Sequence, residues 1–413
     1  MTDRHSSPRH RWLRAIASGT LAAALMAATL FAPPSSGQAE PSPWRAVAGT
    51  DPAPFTAADA NTQDTLNELK ATLPAGWQSR LAEVKAAAPS VPSEWTEIRD
   101  EAIDPSDYVC TSTALRDWLA DRIADVDPGV LATLSELGVL DYPAFDALLF
   151  ETSATPQFFG RDGEFSKVIK ENMLDLRRFW DIRSHDIQLV AMHGAMLQDR
   201  DRLIRLVAFL FEVDEATAAQ LADQITELLA SDPDLEKGLN PLFTFNAFAF
   251  TGEGDPDPVF SSLPDKIIMG DGIMEGMRAL GLRPVAPQAI LAHEFGHHIQ
   301  FEGDLFDSPL TGPEATRRTE LMADAFSTYF LAHPRGQAMN RNRLLAATQT
   351  FFEVGDCAFT SNNHHGTPLQ RQRSAAWAAD VANTVRPRGL VLPSLEFAER
   401  FDAKLPELVA PDV

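Results

Sequence analysis

The stretch "ILAHEFGHHIQ", Ile290 to Gln300, sets three histidines and a glutamate inside an apolar run. Ile290, Leu291, Ala292, Phe295 and Ile299 predict a helix that is buried or lines a cleft, where unpaired imidazole and carboxylate groups are costly. The spacing gives a reason to keep them. His293 and His297 are four apart, so they share one helix face and both rings reach a single ion. Glu294, one residue round, points at a water on that ion, which makes H-E-x-x-H a zinc site with its base beside it.

The following helix supplies what the first lacks. "TGPEATRRTELMADAFSTYFLAHPRG" (311–336) has Thr311 and Glu314 at capping-box spacing and Pro334 at its end, which predicts a helix between them. A catalytic zinc takes three protein ligands and leaves a position for water, and two His with one Glu is a common set. Glu320 is the expected third ligand. Asp324, one turn on, is placed to accept the free ring N–H of a ligating histidine and fix its tautomer. Alone, Glu320 and Asp324 beside Arg317 and Arg318 read as a solvated helix face; H-E-x-x-H one helix upstream reverses that reading.

Before these helices, "PLFTFNAFAFTG" (241–252) is aromatic-rich without a helical period and predicts a strand. "DKIIMGDGIMEGMRALG" (265–281) predicts a short strand, a turn at Gly270 and Gly272, and a helix closed by Gly281. "HEFGH" followed by "ELMAD" resembles the gluzincin class of metallopeptidases. "NAFAF", a short strand, a Gly-containing turn and then H-E-x-x-H is similar to the CAAX-prenyl-protease and heat-shock-protease type of that class. "AHEFGHHIQ" with "HGTPLQRQ" resembles the bacterial neutral zinc metallopeptidases. The likeness covers roughly residues 240–385. It implies a zincin-like catalytic domain, a Zn2+ cofactor, and a cleft-edge strand at Asn246, Ala247 and Phe248 that pairs with an extended substrate. The chain departs from the prenyl-protease type in having no series of membrane helices and in the extra loop "TGEGDPDPVFSSLP", so a prenylated substrate is not expected.

The chain has 413 residues, 45% hydrophobic and 23% charged, enough for two or three domains. Its net charge of -23, with Lys scarce beside Arg, leaves no basic surface to neutralise phosphates and argues against a nucleic-acid partner. Arg4, Arg9, Arg11 and Arg14 precede "AIASGTLAAALMAATLFA", and small residues follow. That is the layout of a secretory leader cleaved after Ala39, with a retained membrane anchor as the alternative. No later run is long enough to span a bilayer, so the expectation is a secreted or periplasmic protein with no stable membrane insertion once the leader is removed. Cys110 and Cys357, an even pair in an exported chain, predict a disulfide; two buried free thiols are the alternative.

Residues 40–80 are expected as an Ala-, Pro- and Ser-rich linker and 386–413 as a C-terminal tail. Between them, "STALRDWLADRIADV", "RDRLIRLVAFLFEV" and "EATAAQLADQITELLASDP" predict a helical accessory domain at 81–239 ahead of the catalytic domain at 240–385. The fold class expected is mainly α (α+β), with a small sheet and an active-site helix.

The expected reaction is peptide-bond hydrolysis. Zinc lowers the pKa of a bound water toward about 7 and polarises a carbonyl, while Glu294 takes the water's proton and hands it to the leaving amine. Oxyanion help is expected from His364 or His365 in "NNHHGTPLQRQ", or from Arg371, although a His-His in a polar loop also reads as merely solvated. A disulfide at Cys357 would tether this loop to the helical half. His298 faces away from the motif and reads as structural, His185 and His193 lack a carboxylate constellation, and His333 sits near a helix end where a cation suits the dipole. A zinc endopeptidase acting on a protein or peptide is the leading reading. Its rivals are a catalytically silent zincin-fold protein that binds peptides or acts as a chaperone, and a zinc hydrolase for non-peptide amides.

Overall fold

The computed structural model describes residues 59–88, 110–357 and 364–411; the expected leader (1–39) and the linker up to residue 58 lie outside them. The described chain opens with α1 (Asp59–Thr72) and α2 (Trp77–Ala87). Helices α3 (Ala114–Ile123), α4 (Pro128–Glu136), α5 (Tyr142–Leu149) and α6 (Ser166–Phe179) lead to strand β1 (Gln188–Met192). After α7 (Arg200–Phe211) and α8 (Glu215–Ser231) come β2 (Ala247–Phe250), β3 (Lys266–Gly270) and α9 (Asp271–Ala279). The chain ends in α10 (Ala286–Glu302), α11 (Pro313–Ala332), α12 (Arg341–Glu353), α13 (Pro368–Thr384) and α14 (Ser394–Leu408). It is mainly helical with one small mixed sheet, as expected.

Three segments differ from the sequence reading. The stretch expected as linker carries α1, because Leu66 and Leu69 lie three apart on one helix face and are buried where α1 packs on α8. The expected tail carries α14, whose Phe397 and Phe401 recur at four and are buried, the Phe397 ring packing at a tilt against Tyr329 and Trp377. The third is β1, which falls inside the segment expected to be wholly helical.

The sheet order is β1-β3-β2, with β1 parallel to β3 from Gln188↔Lys266 to Met192↔Gly270 and β2 antiparallel to it. The sheet therefore crosses the boundary expected at residue 240. Its central strand holds Ile267, Ile268 and Met269 fully buried, the continuous apolar run of a strand covered on both faces. Lys266 is also buried, and its Nζ donates to the carbonyls of Leu148 and Glu151 at 2.6 Å each, closing the C-terminal end of α5. β2 lies at the sheet edge beside α10.

α10 and α11 pack against each other through a small contact. A Cβ added at Gly296 would stand 3.1 Å from the Cα of Ala323, so the glycine lets the two backbones approach closely enough for their side chains to share one site. Among the described residues no helix is long and apolar enough to cross a membrane.

Candidate metal centre

His293, Glu294 and His297 project from α10, and Glu320 and Asp324 from α11. The Nε2 atoms of His293 and His297 are 3.1 Å apart, and Glu320 places Oε2 at 3.3 Å from the first and Oε1 at 3.3 Å from the second. His293 Nδ1 donates to Asp324 Oδ1 at 2.8 Å, and His297 Nδ1 donates to Gln300 Oε1 at 2.8 Å. Gln300 is oriented in turn by donating its Nε2–H to the Thr319 carbonyl at 2.7 Å. With both Nδ1 protons so committed, two Nε2 atoms and a carboxylate face one another, an arrangement that repels unless a proton or a metal ion sits among them. Tetrahedral zinc with bonds of about 2.0–2.1 Å has ligand–ligand edges of about 3.3 Å, close to what these three residues present. The buried His293, His297 and Glu320 group can hold a metal ion.

Electrostatics point the same way. Burial opposes charge on Glu320, but His297 and His365 and the hydrogen bonds of His293 and His297 hold its carboxyl well below the usual range. Burial also opposes charge on His293, yet Asp324 and Glu320 outweigh it and keep the metal-free ring protonated up to about 9. An ion and that proton compete for the same lone pair. Glu294 is raised, first by burial, with the histidines pulling the other way. Its carboxylate borders the cavity and has no hydrogen-bond partner among the described residues.

A cavity of about 420 Å³ opens over these groups. Asn246, Ala247 and Phe248 border it. Because Gly270 N–H donates to the Asn246 carbonyl at 3.0 Å, alternation along β2 turns the backbone polar groups of Ala247 and Ala249 away from β3, toward the open edge. Phe301, Phe306 and Phe351 supply an apolar wall.

The candidates for oxyanion help separate. His365 lines the cavity. His364 is buried behind it with Nδ1 on Asp356. Arg371 lines the cavity too, but its fork is placed on Asp324, Nε to Oδ2 at 2.8 Å and Nη2 to Oδ1 at 2.7 Å, which makes it a support for the carboxylate behind His293. Asp356 and Gln300 escaped the sequence reading. Gln300 carried a signal, since it stands three residues after His297 on the same helix; Asp356 carried none, because its histidines lie eight and nine residues on, outside any helical or strand spacing.

Among the described residues, His193, His298 and His333 do not join the centre. His298 is fully buried, donates Nε2–H to the Lys266 carbonyl at 3.0 Å, and is pushed down to about 4 by burial. His193 Nδ1 lies 2.7 Å from Asp271, so it does have a carboxylate, but far along the chain. His333 ends α11 as expected, yet burial lowers its pKa; with Nε2–H on the Leu390 carbonyl and Nδ1 accepting from Arg335 N–H, it is a neutral cap and not a cation. Cys110 and Cys357 form the expected disulfide. Comparison with family models, curated proteins and solved structures gives no match.

Proposed function

We propose that this protein is an exported zinc-dependent endopeptidase. The observation that carries the reading is the convergence of two Nδ1-protonated imidazoles and one carboxylate, with Glu294 beside them in a cavity edged by a strand. Two His and one Glu suit zinc, which when bound supplies Lewis acidity toward a carbonyl and a water of lowered pKa. Everything else falls to side chains and backbone. Glu294, raised by burial and facing the cavity, accepts the proton of the attacking water and returns it to the departing amine. Asp324 and Gln300 hold the imidazoles in the tautomer that presents Nε2. The outward N–H and C=O groups of Ala247 and Ala249 offer an extended peptide a strand to pair with, beside the apolar wall of Phe301, Phe306 and Phe351. The disulfide supports a location outside the reducing cytoplasm.

Metal analysis and a digest of an unfolded protein test the reading. Glu294→Gln retains one zinc and loses cleavage, whereas Glu320→Ala loses the metal. A Glu294→Gln protein as active as the parent rejects the mechanism; one that keeps its biological role without cleavage favours peptide capture.

A further inference from the structure

The part of the cavity lining that carries His365 is tied to a distant part of the chain. Cys357 is bonded to Cys110, 247 residues away in sequence. Around the bridge, Thr113 Oγ1 donates to the Glu353 carbonyl at 2.7 Å and Leu115 N–H to the Glu353 carboxylate at 3.0 Å. Arg116 Nε donates to the Gly355 carbonyl at 3.2 Å. The start of α3 thus clamps the chain as it leaves α12. Asp356, next to Cys357 and buried, sits inside this clamp.

Asp356 grips the two histidines of the expected loop. Its Oδ2 accepts from the His365 backbone N–H at 2.6 Å and from His365 Nδ1 at 3.1 Å, and its Oδ1 accepts from His364 Nδ1. Its own N–H donates to the Gly366 carbonyl at 3.0 Å. A carboxylate on Nδ1 orients the ring and supports positive charge on it, so that the opposite nitrogen can serve as a donor to an oxygen gaining charge in the cavity. The metal ligands lie on α10 and α11, outside the clamp, and Arg371 is what joins the two, bonding Asp324 on one side and the Val354 carbonyl at 3.4 Å on the other.

The geometry points to Asp356 as the positioning residue for His365 and to the Cys110–Cys357 bridge as what holds Asp356 in place, so that turnover, and not metal binding, depends on the disulfide. This rests on the hydrolase reading above. His365 is the catalytic residue in it, a donor to the carbonyl oxygen as water adds.

The test places Asp356→Asn and the double variant Cys110→Ser/Cys357→Ser each in the parent and in His365→Ala. Metal content, kcat and KM on a peptide substrate are the readouts. His365→Ala is expected to lower kcat about 100-fold. Asp356→Asn and the bridge-free protein should each lower it about 10-fold with one metal retained and KM little changed. In the His365→Ala background neither change should cost more, because all act through one ring. Reduction of the folded parent with a phosphine, followed by reoxidation, gives the same comparison if the bridge-free variant does not fold. Losses that add to that of His365→Ala, or full kcat in Asp356→Asn or after verified reduction, overturn the inference. A parent that binds zinc and cleaves nothing refutes the hydrolase reading instead.

Discussion

His293 has one ring nitrogen turned to the shared site and the other assigned to Asp324. Its pKa in the metal-free protein stands near 9, above the ordinary 6.5, because Asp324 and Glu320 outweigh the burial that opposes its charge. The sign of the consequence is fixed: the stability this pair contributes is fully present below 6.5 and is lost as pH rises through about 9. Metal affinity moves the other way over that window, since each step up in pH removes the competing proton. The metal-free protein should therefore melt at lower temperature as pH rises while a chelator competes less well for the ion. Asp324→Asn should flatten both slopes and weaken metal binding by about 10- to 100-fold. Parent slopes that are flat, or an Asn variant that binds as the parent does, would refute this. At this scale the sequence was informative where a helix did the placing: His293, Glu294, His297, Glu320 and Asp324 follow from spacings of one, three and four. Asp356 was not legible, since no local periodicity links it to His365.

Between α10 and α11 the contact depends on one missing side chain. Gly296 backs onto Ala323, and any Cβ there meets backbone at 3.1 Å. Helix propensity alone would favour replacing the glycine, by about 1 kcal/mol for Ala. A β-branched residue reverses that balance, because forcing extra methyls into a close-packed contact costs about 1–3 kcal/mol and moves the backbones apart. Gly296→Val is expected to destabilise the protein by that amount in denaturant and, by drawing Glu320 away from His293 and His297, to weaken metal binding further than the stability loss explains. Unchanged chelator competition in a folded Gly296→Val protein would show that the site does not depend on this approach. Strand β1 marks what periodicity could not reveal. "QLVAM" is a short run buried on both faces, and such a run shows no alternation by which a strand is told from a helix segment. β2 and β3, flanked by Gly and loop residues, were legible for that reason.

The expected division at residue 240 is the place where the whole molecule speaks against a reading from composition. Helical patterns dominate before it and the metal motif lies after it, so the sequence looks like two bodies. β3 nonetheless has β1 as its parallel neighbour, Lys266 reaches back to the carbonyls at the end of α5, and α6 packs on α10 with Asn172 Nδ2 donating to the Gln288 carbonyl at 3.1 Å. A fragment starting at residue 240 would leave β3 with an unpaired, fully apolar edge and Lys266 as a buried ammonium without acceptors, two of the costliest defects available to a sheet. The bridge to Cys110 would be lost as well, leaving Asp356 without its clamp. Such a fragment is therefore expected to show no cooperative unfolding transition, to bind a hydrophobic dye, and to hold no stoichiometric metal although it carries all three ligands. A fragment from residue 240 that unfolds cooperatively with metal bound would mean that the sheet's third strand and the α6 contact contribute little, and that the metal centre is a self-sufficient module.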